Sequence, residues 1–397
     1  MKSLPIFLVF LVMGVADAMG PMSDAVEDQY ELSSVMATLL PFFVFIAFAV
    51  FSVPGGILAA RIGKKNLLLL GLGLNALAML VPTVMDPDFT LLLICIFTLG
   101  IGTTFLQVAG NPIMRDVSSE GAYGRNLSLA QGIKGIGSTA SAYLVSAIAG
   151  IAMFQNMGWR GVFPIFCVLM AVGFFWVLTL KIDEAKSDVP PSIGSSLSLL
   201  KKPVFFMAVL GIFLYVGAEV CMARFLLPLL EVTGLDEATR SKFGPACFFL
   251  VLTIGRLSAG VALHVMSSRV CFRLSALLGV IGGVILIFGP GLVEQMGSPA
   301  PAIVGVILAG LGFANIWPML FSITVEEEPE RSSELSGLMC MAISGGALVP
   351  LVMGKLVDSG METKAFIVPV VCFVYLLLLS LRGGGAKPTA EKSDAGN

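Results

Sequence analysis

Five ionisable side chains fall inside otherwise apolar runs: Asp17, Lys134, Glu219, Arg224 and Arg256. A charge in hydrocarbon costs at least about 2.5 kcal/mol on insertion scales, so each marks a solute pathway, a coupling site or an ion pair. Asp17 lies toward the outer half of its run, where burial of the carboxyl would let protonation accompany passage of a solute. An ion pair with Lys134 is the structural alternative, and the two coexist if protonating Asp17 releases the lysine. Amides accompany these charges: Gln107 and Asn111 share one helix face, as do Gln131 and Lys134, by their i,i+4 and i,i+3 spacings. An amide offers donors and acceptors together, which suits the hydroxyls of a sugar, although helix packing is its plain structural use. Glu219 and Arg224 are separated by about 140° around a helix and do not readily pair. Asn315, Trp317 and Pro318 interrupt another run with an amide and a large ring, which can stack on a pyranose or simply fill the core. The charges of Asp17 and Glu219 against Lys134 and Arg224 sum to zero. A neutral solute is the simpler expectation, with a carboxylate clamped by Lys134 and Arg224 as the acid-sugar variant.

Other chemistries find little material. His264 is the single histidine, and the seven cysteines sit singly within apolar stretches with no C-x-x-C spacing. No nucleophile with its base and no metal-ligand set stands at a workable spacing, so neither an enzyme nor a cofactor is expected. A net charge of −2 gives no basic excess for nucleic acid.

The elements that must position the five charges follow from composition. The chain has 397 residues, 57% hydrophobic and only 13% charged, with mean hydropathy +0.95. That balance fits no water-soluble fold and supplies about ten to twelve crossings at roughly 20 apolar residues each. Runs punctuated by Gly, Pro and charge predict twelve helices, at about 3–20, 34–58, 66–84, 89–112, 127–150, 161–181, 203–229, 243–264, 271–291, 300–323, 334–356 and 365–382. The first run, followed by Ala16-Asp17-Ala18, imitates a secretory signal; it is read as a span because an aspartate suits a cleavage site poorly.

Short cytoplasmic loops are rich in Lys and Arg. An inside N-terminus places about sixteen of them, from Lys2, Arg61, Lys64 and Lys65 to Arg331 and Arg382, on the inner side and about five outside. The first outer loop, Pro21 to Ser33, is acidic, and both termini are expected to be cytoplasmic. The polar stretch 182–202 divides the chain into six-helix bundles at 1–181 and 203–382, and the Gly/Lys/Ser-rich residues 383–397 read as a disordered tail. Weak internal echoes support two parallel repeats: Gly110-Asn111-Pro112 against Ala314-Asn315-Ile316-Trp317-Pro318, and Gln131 to Gly135 against Met341 to Gly345.

The segment Gly56-Ile57-Leu58-Ala59-Ala60-Arg61-Ile62-Gly63-Lys64-Lys65 resembles the major facilitator pattern G-x-L-A-D-R-x-G-[RK]-[RK], with Ala60 in place of the acid. The resemblance makes Gly56, Arg61, Gly63, Lys64 and Lys65 a gating loop, with Arg256 in a degenerate second copy, Gly255 to Gly260. The missing acid weakens any full inter-helix charge clamp there. Phe105 to Pro112, Arg125 to Gly132, Tyr215 to Val220 and Gly345 to Pro350 are similar to four blocks of the fucose–galactose–glucose permease branch of that superfamily. What the resemblance implies is an all-α membrane protein of two pseudo-symmetric six-helix bundles that imports a monosaccharide with a cation, most simply a proton, by alternating access. It assigns proton coupling to Asp17 and leaves Gln107, Asn111, Gln131, Lys134, Glu219, Asn315 and Trp317 around the sugar. Gln107 stands where the proton-coupled relatives carry a glutamate, so one of their two carboxylates is absent. The expected setting is a bacterial inner membrane, the expected state a monomer, and the alternative cargo a sugar acid, another organic anion or a drug.

Overall fold

Lipid offers no hydrogen-bond partner to a peptide group, so apolar runs of this length must close their backbone bonds within helices. The computed structural model of the chain describes residues 4–32, 36, 39–182, 184, 191–232 and 235–382. The expected tail at 383–397, Lys2, and the linker residues Lys186 and Pro190 lie outside them. Among the described residues every regular element is helical, and ten stretches are long and apolar enough to cross a membrane.

We number the helices α1 (Leu4–Met13, continuing through a 3-10 turn Gly14–Ala18 into Met19–Tyr30), α2 (Leu39–Ile62), α3 (Lys64–Val84), α4 (Phe89–Asp116), α5 (Tyr123–Ala147) and α6 (Met153–Leu178). After the short linker helix Ile193–Leu199 come α7 (Pro203–Val232), α8 (Pro245–Ala262) and α9 (Ser268–Met296). The last three are α10 (Ala300–Ala314 and Ile316–Glu327), α11 (Ser332–Met341 and Gly345–Asp358) and α12 (Ile367–Leu381). The two helices outside the ten apolar stretches are α1, which is short, and α5, which is diluted by Arg125, Gln131, Lys134 and many small residues. We call the end where α1 starts and α12 finishes the lower end.

Two expectations about boundaries are corrected. The acidic stretch after the first span is not a loop: Met19–Tyr30 is helical, because Met19, Met22 and Val26 form an apolar stripe that is fully buried. The linker, read as a polar connector over 182–202, carries a short helix, since Ser192 caps Ile193–Leu199 by accepting from the Ser195 N–H. The remaining ends move by a few residues, most of them outward: α4 runs through Pro112 to Asp116 and α9 extends to Met296.

Within the first bundle α3 packs on α4 and α6, and α1 on α5; in the second, α9 packs on α10 and α12, and α7 on α11. The bundles meet along α2 with α11 and α5 with α8, which are equivalent pairs under the repeat. Small residues let these helices approach. A Cβ on Gly56 would lie 2.6 Å from the Ser333 carbonyl, and one on Gly337 2.8 Å from that of Ser52.

Candidate functional site

Backbone approach also sets the charged centre. A Cβ on Gly14 would stand 2.4 Å from the Ser138 nitrogen, and one on Gly137 2.1 Å from the Leu11 carbonyl. No larger residue permits α1 and α5 to run this close, and the closeness brings Asp17 to its partners. Lys134 Nζ lies 3.3 Å from Asp17 Oδ2, and the Ser138 hydroxyl donates to the same oxygen at 2.5 Å. The bonds of Asp17 therefore gather on Oδ2.

A second ion pair stands in the other bundle. Arg256 Nη2 is 3.7 Å from Glu219 Oε1 and donates to the Tyr215 hydroxyl at 2.9 Å, while its Nε donates to the Ala314 carbonyl at 3.0 Å. The interruption of α10 explains this arrangement. Pro318 has no N–H to bond Ala314, four residues before it, and the freed carbonyl takes the arginine instead. Tyr215 donates to the neighbouring Phe313 carbonyl at 3.1 Å, and Asn315 Nδ2 donates to that of Gly255 at 3.0 Å. In the first bundle Pro112 similarly frees the Val108 carbonyl, which accepts from Ser336 of α11 at 2.8 Å.

The two pairs act on each other across the bundles. Glu219 interacts electrostatically with Arg256, Lys134 and Asp17, and Arg256 with Glu219 and Asp17. Side-chain exposure is 47% for Asp17 and 18% for Lys134, and 21% for Glu219 and 10% for Arg256. Although these residues lie far from the helix ends, solvent reaches them, and in both pairs the carboxylate is the more accessible partner.

The sequence-derived residues divide into three groups. Asp17, Lys134 and Glu219 are brought together at this centre, while Gln107 is buried on α4, one turn before Asn111, and makes no hydrogen bond among the described residues. Asn111, Gln131 and Asn315 are buried in structural networks just below. Gln131 Nε2 donates to Asn111 Oδ1 at 3.3 Å, Asn111 Nδ2 contacts Cys340 Sγ at 3.9 Å, and Ser128 donates to Asn315 Oδ1 at 2.5 Å. Trp317 is 5% exposed and stacks on Phe321 with centroids 4.8 Å apart, so its ring is occupied by packing. Arg224 is exposed and its guanidinium lies 5.8 Å from the Phe225 ring, beyond the centre.

Arg256 was expected in a gating loop; the helix instead carries it into the core of the second bundle, and it replaces Arg224 as the fourth charge. The neutral sum survives the exchange. The pattern beginning at Gly56 also acts differently from expectation. Of these five, Gly56 packs against the opposite bundle, at Ser333 and Gly337. Lys64 is buried and paired with Asp116 at 2.6 Å, and Glu184 accepts from the Lys64 and Lys65 N–H groups at 2.5 and 2.9 Å, capping α3. These two acids do the work that Ala60 cannot. Gly63 permits the turn with φ of +94°, and Arg61 donates to the Pro191 carbonyl of the linker at 3.1 Å.

Sequence reading missed the residues that seal the lower end. Ser336 meets Val108, Arg125 lies 3.2 Å from His264 Nε2, and buried Glu334 takes Arg331 at 2.8 Å together with Ser195 and Ser196 of the linker helix at 2.9 and 3.1 Å. The proline spacings signal the freed carbonyls; nothing in the sequence signals that Arg256 fills one and Ser336 the other.

The profile of the Major Facilitator Superfamily matches residues 6–350. A glucose/galactose transporter of Brucella abortus biovar 1 (strain 9-941) is 28% identical over 369 residues, covering 90% of this chain and 87% of the relative. An L-fucose-proton symporter of Haemophilus influenzae is 22% identical over 415 residues, covering 94% of each. The crystal structure of the superfamily transporter FucP in the outward conformation superposes with a TM-score of 0.78 at 19% identity, covering 96% of this chain and 98% of that one. With an all-helical fold of two bundles among the described residues and a family match across most of its length, the chain belongs to the Major Facilitator Superfamily, a family of membrane transporters.

Proposed function

We propose that this protein imports a monosaccharide of the glucose, galactose or fucose class by alternating access, in symport with a cation that is most simply the proton. The observation that carries the proposal is the pair of solvent-facing carboxylates, each with a base behind it. Asp17 and Glu219 stay available as acceptors for sugar hydroxyls, and the Gln107 amide adds both donor and acceptor. The sugar-transporting relatives support the cargo class. A carboxylate cargo is disfavoured because the Arg256 guanidinium is committed to Tyr215, Ala314 and Glu219, and Arg224 lies elsewhere.

Asp17 is the coupling acid in this reading, since a proton on it removes the acceptor of Lys134. Gln107, Lys134 and Glu219 line the cargo site, with Asn111, Gln131, Asn315 and Trp317 supporting its floor. Residues 1–181 and 203–382 move as units about the linker 182–202. The Lys/Arg bias makes the lower end cytoplasmic, in a bacterial inner membrane, and the unit is a monomer. Proteoliposome uptake of fucose, galactose, glucose and a uronic acid, with and without pH or sodium gradients, tests the proposal. Uptake of a hexose or deoxyhexose enhanced by an inward proton gradient is expected; transport of none of these sugars overturns it.

A further inference from the structure

Both ion pairs lie within a single bundle: Asp17 on α1 with Lys134 on α5, and Glu219 on α7 with Arg256 on α8. Neither ion pair crosses between the bundles. Neutral hydrogen bonds do, Ser128 to Asn315 and to the Arg256 carbonyl, Asn111 to Cys340 and Ser336 to Val108, and Arg125 meets His264 at the lower end. Yet the pairs lie within electrostatic range across the gap, Lys134 acting on Glu219 and Arg256 on Asp17. The charged groups reaching Asp17 are Lys134 from α5, Glu219 from α7 and Arg256 from α8, with Ser138 as its hydroxyl donor.

These partners are not equally free to move. Arg256 is fixed by Tyr215 and the Ala314 carbonyl, whereas Lys134 has Asp17 as its ion-pair partner, on a flexible four-carbon stem. The Arg256 contact with Glu219 is long, 3.7 Å, and falls on Oε1, and the Tyr215 hydroxyl stands beside the same carboxylate. A proton arriving on Asp17 cancels the anion beside Lys134. The ammonium then lacks its partner in a site only partly open to solvent, and Glu219 is the remaining carboxylate of the set that acts on it.

We infer that Lys134 exchanges partners, leaving a protonated Asp17 for Glu219 of the opposite bundle, and that this exchange draws the upper ends of the bundles together. The proton comes from water on the upper side and stays on the Asp17 carboxyl. Glu219 then bridges Lys134 and Arg256, and the centre carries the single added positive charge. Glu219 is thereby a coupling partner as well as a hydroxyl acceptor, and Lys134 is the moving part. The inference rests on the reading of Asp17 as the coupling acid, but it needs no particular sugar.

Closure can be read without cargo. Thr139 is exposed and stands one turn above Gly135, on the face that meets Thr253 of α8, so closing the upper end would cover it. A Thr139→Cys reporter in full-length protein, with the partly exposed Cys167 and Cys247 changed to serine, is labelled with a maleimide in sugar-free liposomes at one neutral pH. Asp17→Asn mimics the protonated acid and is expected to slow labelling about tenfold. Adding Glu219→Gln to Asp17→Asn, or using Lys134→Met with Asp17→Asn, is expected to restore the fast rate. Each variant is also checked for thermal stability in detergent, and a pair that restores labelling without restoring stability separates exchange from folding. If Asp17→Asn labels as fast as the parent, or the double variants stay slow, the exchange is wrong. A failed sugar panel with these labelling results intact would overturn the cargo alone.

Discussion

The lower and upper parts of this molecule are held by different means. Below the centre, glycines bring backbones of opposite bundles together, as at Gly56 with Ser333 and Gly337 with Ser52, and neutral hydrogen bonds such as Ser128 to Asn315 lock the contact. At the centre the interactions are ionic, solvent-accessible and confined to one bundle each. A seal of close-packed backbone is stiff and all-or-none, because packed surfaces are bistable and do not deform smoothly. An ion pair open to water is easily re-partnered. The comparison separates a neutral, close-packed lock from a charged, water-accessible centre, which is where the proposed exchange puts the trigger.

The most disruptive way to break that contrast is to wedge the seal. Gly56→Leu or Gly337→Leu would force side-chain atoms against backbone at distances no relaxation of a flexible neighbour can cure. Overpacking of this sort costs about 1–3 kcal/mol, so the sealed state should lose about tenfold or more in population. Uptake should fall correspondingly, and cysteines placed at the lower end should gain maleimide reactivity; unchanged labelling would show that the glycines are incidental.

Next in size is the buried side of the trigger. Arg256→Met takes the cation from Glu219 and leaves the Ala314 carbonyl without its donor, a loss of about 1–3 kcal/mol as for other stranded buried groups, lessened because Glu219 keeps contact with solvent. Thermal unfolding in detergent should show a large fall in midpoint, and the Glu219→Gln/Arg256→Met pair should recover part of it. Additive losses would mean that the two residues do not act as a pair.

A smaller effect is expected at the linker. Glu334→Gln weakens the contacts to Arg331, Ser195 and Ser196 together, which should loosen the linker helix and speed limited proteolysis there several-fold. An unaltered cleavage rate would place the seal elsewhere. The smallest change should come from Trp317→Phe. Its ring stacks on Phe321, and losing part of that contact costs no more than about 1.5 kcal/mol. The apparent KM for sugar should hold within about twofold; a tenfold rise would restore the ring to the cargo site.

Much of the architecture is legible from residues alone, because bilayer thickness and the hydrogen-bonding needs of the backbone leave an apolar run of about 20 residues little choice. The acidic stretch at Asp24, Glu27 and Asp28 misleads because its charges conceal an apolar stripe, Met19, Met22 and Val26, that becomes visible only once something packs on it. The loop pattern at Gly56 is recognisable, but its missing acid is supplied by Asp116 and Glu184, far along the chain. Local motif reading has no access to such a substitution.

Sequence by itself determined that this is a helical membrane protein, and that Asp17, Lys134 and Glu219 are charges needing a reason to be there. The tertiary structure decided which charges meet. Arg256, expected in a gating loop, becomes the partner of Glu219 because Pro318 frees a carbonyl on α10, and Arg224 drops out because its helix turns it away. The physical reason is that helix formation is fixed by neighbours in sequence, whereas ion-pair partners are fixed by which small residues let which helices touch.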